Sequence, residues 1–230
     1  MRKFVITLAL TVATTLASFG FAATLTDVQA LYAKGDVSGT VTAGMALNTS
    51  AGYVLAAEAT SLGADLLPQN QREAAYTKAE EYAKKAVQLD ANNPDAYMEV
   101  ARAVGRLAQF KGVLQSLNLA GEVKKNLDTA LKLNPKLPAA YIALGLWNAE
   151  VPLVAGGSSN QVEVNILKAI ELEPTVIIHR IEYANALLKL SKRNKKRAVD
   201  QLEQAVKFTP KNFWDKLDLE TAKKNLAALK

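Results

Sequence analysis

The chain has no cysteine in its 230 residues. That excludes a disulfide framework, a thiolate metal site and a cysteine nucleophile. It has one histidine, His179, whereas a zinc centre draws on several His or Cys side chains. Proline and glycine are scarce, at 7 and 12 residues, so little interrupts regular backbone, and the abundant Ala, Leu, Lys and Glu favour helix. The phosphate loop GxxxxGK[ST], the dinucleotide loop GxGxxG, the nucleophile elbow GxSxG and the zincin HExxH are all missing from the sequence. Acidic pairs such as Glu80-Glu81 and Glu171-x-Glu173 sit among lysines and read as solvated helix faces. The expectation is a protein with no enzymatic activity, no cofactor and no metal. Beyond residue 22 no apolar run is long enough to span a bilayer.

The first 22 residues differ from the rest. Met1-Arg2-Lys3 is a positive start, Phe4 to about Leu16 is apolar with interspersed Thr, and Gly20-Phe21-Ala22 places small residues around a cleavage point. This is the pattern of a secretory signal peptide, cut after Ala22 or after Ala23, with an uncleaved anchor as the other reading. The domain reading is therefore 1–22 leader and 23–230 folded body, exported to a periplasm or secreted. Net charge is +6 but uneven. Residues 187–230 hold 12 Lys or Arg against 5 Asp or Glu, while residues 23–186 hold 14 against 17.

What the chain has in quantity is a repeated phrase. Ala130-Leu131-Lys132-Leu133-Asn134-Pro135 is echoed by Ala86 to Ala91, Ala169 to Pro174 and Ala205 to Pro210, so the leading alanines fall 44, 39 and 36 residues apart. A period in that range marks a stacked repeat architecture. The small Ala suits a close helix crossing, the apolar residue three later (Leu89, Leu133, Leu172, Phe208) is expected to plug the joint between units, and Pro cannot continue the helix. Three and seven residues before each Ala stand Ala83 and Ala79, Leu127 and Val123, Ile166 and Val162, Leu202 and Ala198, which is one face of a helix. On the following helix Tyr141, Leu144 and Gly145 share a face, with Gly145 placed to touch a neighbouring helix near Ala130 and Val162.

Tyr141-x-x-Leu144-Gly145 and Leu127-x-x-Ala130-x4-Pro135 resemble the tetratricopeptide repeat (TPR), with Tyr97-x-x-Val100-Ala101 and Arg180-x-x-Tyr183-Ala184 as looser copies. The likeness covers roughly residues 25–230. The resemblance implies an all-α, right-handed solenoid of about five helical pairs with a C-terminal capping helix. The family has about 12 residues between the Gly/Ala of the first helix and the first Ala of the second. Here Ala101 to Val123 is 22, Gly145 to Val162 is 17 and Ala184 to Ala198 is 14, so the turns inside the units carry insertions. The pairs are expected at about 25–34 with 37–48, 51–66 with 71–89, 93–108 with 122–133, 138–150 with a helix to 172, and 175–190 with 195–208. A last helix should run from 212 to 229. Thr26-Asp27 is expected to cap the first helix and Ser159 or Asn160 the eighth.

In TPR proteins first-helix positions line the concave face. Carried over, these are Met98, Arg102, Ile142, Leu146, Ile181 and Asn185, a largely apolar strip that is either a groove for an apolar helix or peptide or core under the connectors. The connectors 109–118 and 151–159 bring Phe110, Leu114, Leu153 and Val154, expected to pack together beside Ile142 and Leu146. Gly156-Gly157 suggests either an anion nest before a helix or a plain turn. The basic run Lys192 to Arg197 is either a solvated loop or, through Lys195, Lys196 and Arg197, a contact for an anionic surface. With a signal peptide ahead of it, nucleic acid is not expected. Trp147, Trp214 and His179 read as core or inter-repeat residues. These features give an exported, non-catalytic protein-interaction module, an adapter or scaffold of the cell envelope. The alternative is a ligand-binding accessory subunit of a periplasmic transport system, since the connectors and the Gly-Gly also look like the TPR-type component of TRAP-type transporters.

Overall fold

The computed structural model describes residues 23–230. The leader read at 1–22 lies outside them. Short-range chemistry sets the helix boundaries. Thr24 caps α1 (Leu25–Ala33): its hydroxyl accepts from the Asp27 N–H at 3.3 Å and the Asp27 carboxylate accepts from the Thr24 N–H at 2.8 Å. The cap is thus two residues earlier than expected, with Asp27 serving as the return arm of a capping box. Gly35, at φ +76°, makes the left-handed turn into α2 (Val37–Ala46), capped by Asp36. Thr49 caps α3 (Ser50–Ala64), and Pro68 precedes α4 (Gln69–Leu89). Asn93 and Pro94 start α5 (Pro94–Ala108), and Pro138 is the first residue of α7 (Pro138–Glu150). The remaining helices are α6 (Val113–Leu133), α8 (Ser159–Leu172), α9 (Ile177–Leu190), α10 (Lys195–Ala205) and α11 (Phe213–Leu229).

Two expected boundaries move. The connector 109–118 is a turn only over 109–112, because α6 begins at Val113. Ser116 anchors that early start, its hydroxyl donating to the Ala108 carbonyl at 2.8 Å and its N–H to the Gly112 carbonyl at 2.9 Å. The N-cap of α8 is Ser158, whose side chain makes no capping bond. A one-turn 3-10 helix, Leu153–Ala155, sits in the loop before it.

The described residues hold no strand, and the chain is an all-α helical solenoid. Five pairs run from α1/α2 to α9/α10. Within the array α3, α5, α7 and α9 lie side by side, each also touching the helix that precedes it. The repeat phrase supplies the seams. Ala86, Ala130, Ala169 and Ala205 are all 0% exposed, and every residue three or seven positions before them is buried. The expected plug is weaker than the phrase suggests: Leu89 and Leu133 are 37% exposed, with Leu172 and Phe208 half-buried. The seam is sealed by the small residue, and the later apolar residue only shields its rim. In the first two pairs glycine performs the same task. A Cβ on Gly44 would lie 2.5 Å from the Gly52 carbonyl oxygen, so α2 and α3 cross backbone to backbone.

The last helix does more than cap. α11 packs on α9 and α10, with Ala222 fully buried. Its start also reaches α1 at the other end of the chain. The Trp214 indole N–H donates to the Tyr32 carbonyl at 2.9 Å, the two rings stand 5.8 Å apart, and the Phe213 ring lies against Gly35. Trp214 is 7% exposed. The array therefore curls until its last helix closes on its first.

Candidate functional site: the inner face and the turn edge

Of the expected strip, Met98, Ile142 and Ile181 are buried at 4, 8 and 2% exposure and belong to the core. Leu146 is half-buried, and Asn185 is exposed with its amide 3.3 Å from Glu182. Only Arg102 of the six is charged, and its neighbours give the inner face its character. Arg102 Nε sits 3.0 and 3.2 Å from the two Glu99 carboxylate oxygens, and a guanidinium nitrogen stands 3.9 Å from Glu58. Arg106 pairs with Asp65 at 3.3 Å. Of the two readings of the strip, Met98, Ile142 and Ile181 follow the core one, and a cluster of polar and charged groups stands beside them.

The ionisable groups feel one another across several helices. Burial raises the Glu99 carboxyl above the usual carboxylate range, with Arg102 opposing the shift and Glu58 adding to it. Burial and the nearby Glu58 carboxyl raise the Tyr32 phenol. Glu182 on α9 is raised by burial, and its field includes Arg106, Asp65 and Arg102 of the opposite units. Asp218 on α11 is pushed up to about 7 by burial, with Asp215 and Glu182 adding to it. Neither Glu182 nor Asp218 has a basic partner within ion-pair distance among the described residues.

Asp218 gives a pH-dependent stability with a definite sign. Its folded value lies above the ordinary 3.8, so the folded form keeps a proton to about 7 that the unfolded chain has already released. The penalty is absent in acid and complete above the folded value. Asp218→Asn should leave the melting temperature unchanged near about pH 4. At about pH 8 it should stabilise the chain by on the order of 1 kcal/mol, discounted for partial solvent contact. Equal melting temperatures at the higher pH would contradict this.

The connectors form a second surface. Phe110 turns inward, its ring 6.0 Å from Tyr76. Leu114, Leu153 and Val154 stand 78, 82 and 97% exposed. They do not pack on each other or on Ile142 and Leu146, because the early start of α6 holds Leu114 on an outer helix face. The two connectors do share a neighbour. The Trp147 indole N–H donates to the Ala120 carbonyl of α6 at 2.8 Å, and the same ring lies against Gly156. The Gly156 and Gly157 amides donate to the Leu153 and Pro152 carbonyls at 3.0 and 3.1 Å, which leaves no anion nest. A Cβ on Gly157 would fall 1.8 Å from the Val151 carbonyl oxygen, so the pair is a turn that requires glycine.

In the basic run Lys192, Arg193, Lys195 and Lys196 are exposed. Arg197 is committed elsewhere: one guanidinium nitrogen is 3.0 Å from Glu163, another pairs with the same carboxylate and lies 2.9 Å from the Tyr183 hydroxyl. His179 is 5% exposed, and burial lowers it to about 4, so it is a neutral core side chain.

Sequence reasoning found Arg102 but missed Tyr32, Glu58, Asp65, Glu99, Arg106, Glu182 and Asp218. A signal was present. Glu58 stands five residues after Tyr53 as Arg102 does after Tyr97, and Glu99 and Glu182 share another position, two after Tyr97 and Arg180. A carboxylate recurring inside an otherwise apolar first helix marks the inward row.

The fold and these repeats define a TPR-like protein. The crystal structure of TTC0263, a thermophilic TPR protein in Thermus thermophilus, superposes with a TM-score of 0.67 at 20% identity, covering 87% of this chain and 97% of that one. YrrB, described as a TPR protein with an unusual peptide-binding site, gives a TM-score of 0.44 at 15% identity over 87% of this chain and 90% of that one. The family model for regulator of microtubule dynamics protein 1-3 matches residues 53–154, which run from α3 to the loop after α7. No curated protein matches the chain.

Proposed function

We propose that the chain is a non-catalytic protein-interaction module, an adapter or scaffold exported to the cell envelope, whose inner face receives a partner segment carrying Lys or Arg. One observation carries the reading: Glu182 and Asp218 face the interior of the closed array without a basic partner, while Glu99, Glu58 and Asp65 are matched by Arg102 and Arg106. A basic side chain entering there offsets the burial and the neighbouring carboxylates that raise Asp218 and gains charge-assisted hydrogen bonds. YrrB's described peptide-binding site belongs to that protein; here the support is the charge pattern alone. The export half rests on the residue 1–22 pattern and is read by N-terminal sequencing of fractionated protein, which should begin at Ala23 or Thr24; recovery of only full-length chain from the cytosol would sink it.

The test of the inner face is a peptide array of basic, neutral and acidic segments probed with the wild-type chain and with Glu182→Gln/Asp218→Asn. Basic segments should bind, and the double variant should weaken them about tenfold or more, since a charged hydrogen-bonded pair is worth about 1.5–3 kcal/mol. Binding that ignores peptide charge, or survives the double variant, refutes the proposal.

A further inference from the structure

The outer surface carries a feature that the inner-face reading does not use. α3, α5, α7 and α9 lie side by side, and in a stack of helical pairs the turns within the pairs fall on one edge. Direct contacts run along that edge. Asp65 at the α3–α4 turn pairs with Arg106 at 3.3 Å, and Tyr76 stacks near Phe110 of the next turn at 6.0 Å. Trp147 joins α6 to the loop at Gly156. Glu150 at the end of α7 pairs with Lys189 at the end of α9.

The four most exposed large apolar side chains among the described residues all stand on this edge: Val113 at 80%, Leu114 at 78%, Leu153 at 82% and Val154 at 97%. Leu66, at the preceding turn, is 57% exposed. The same edge continues into the α9–α10 turn, where Lys192, Arg193, Lys195 and Lys196 are exposed and enter no ion pair among the described residues. The carboxylates nearest this edge are already matched: Asp65 by Arg106, Glu73 by Lys111, Glu150 by Lys189 and Glu163 by Arg197. What remains unmatched is apolar tips at two turns and positive charge at the next.

From this arrangement we infer that the turn edge is a membrane-docking surface, with Leu114, Leu153 and Val154 entering the interfacial region of an anionic bilayer and Lys192, Arg193, Lys195 and Lys196 resting on its headgroups. The chemistry favours lipid over a protein helix. A helix needs a groove with walls, whereas these side chains stand out as two adjacent pairs, Val113 and Leu114 at the start of α6 and Leu153 and Val154 in the 3-10 turn, each 78% exposed or more. Apolar tips gain by leaving water wherever they enter hydrocarbon. Basic residues near an anionic leaflet attract it over about a Debye length. The edge works in either compartment, so it does not depend on the export proposal. Docking at the rim also leaves the inner face free, so the two sites can act together or fail separately.

The test is co-sedimentation with vesicles of phosphatidylcholine alone and of phosphatidylcholine with phosphatidylglycerol. The protein is the chain from Ala23 onward, the described residues, in which α11 meets α1; the apolar leader is then no cause of retention. Wild type should be retained on the anionic vesicles and little on the neutral ones. Leu153→Asp/Val154→Asp and, separately, Lys192→Gln/Arg193→Gln/Lys195→Gln/Lys196→Gln should each lower the partition coefficient about tenfold or more, with the wild-type value falling as salt rises. Every substituted residue is an exposed surface side chain, and far-ultraviolet circular dichroism checks that both variants stay folded. Equal retention on neutral vesicles, retention that neither variant changes, or no retention of the wild type overturns the proposal. In the last case, if Leu153→Asp/Val154→Asp abolishes binding of a purified protein partner, the tips are a protein contact.

Discussion

Gly145→Leu should destabilise the chain by about 3 kcal/mol, the upper part of the range for overpacking a filled joint. Even a Cβ at this position would lie 2.5 Å from Ile166 Cγ1 and 3.1 Å from the Val162 carbonyl oxygen, and the remaining leucine atoms have nowhere to go. Ile166 is fully buried and cannot swing aside. α7 and α8 would have to separate, and because each unit of a solenoid leans on its neighbours the loss should spread to α5, α6 and α9. Denaturant unfolding measures it. A midpoint equal to wild type would show that α7 and α8 do not cross at this residue.

Trp214→Ala should be comparably severe, about 3–5 kcal/mol for removing a large buried aromatic side chain. It takes away the indole that bonds the Tyr32 carbonyl and the ring packed beside Tyr32 and Phe213. Trp214→Phe separates the two contributions, keeping most of the packing and losing only the hydrogen bond, worth about 1 kcal/mol. Amide exchange should locate the damage: α1 and α11 should exchange faster, while α4 to α8 keep their protection. Protection lost uniformly, or not at all, would mean that Trp214 is an ordinary core residue and not the closing contact.

The repeat was legible because its signal is local. Ala86, Ala130, Ala169 and Ala205 mark close crossings by size alone, and the residues three and seven before them complete one helix face, so five pairs and a last helix could be placed from the sequence. The closure was not legible. Trp214 and Tyr32 are 182 positions apart, and nothing in either neighbourhood names the other; the curvature that brings them together is a sum of small rotations over five units. The inner face was legible only in part. Repeat register put Met98, Ile142 and Ile181 on one strip, and neighbouring units bury all three in the core, while the long-range grouping of Glu182 and Asp218 with the Arg102 cluster leaves no local mark. At the connectors, apolar composition suggested packing, yet the helix propensity of 113–120 extended α6 and held Leu114 out in solvent.

The absence of native cysteine makes closure of the array directly measurable. Lys34 at the end of α1 and Lys216 in α11 are exposed and flank the Tyr32–Trp214 contact. Spin labels on Lys34→Cys/Lys216→Cys, read by pulsed electron–electron double resonance, should give one narrow, short-range distance distribution that broadens and lengthens when Trp214→Ala is added. A broad, long distribution in the otherwise wild-type chain would describe an open solenoid and contradict closure.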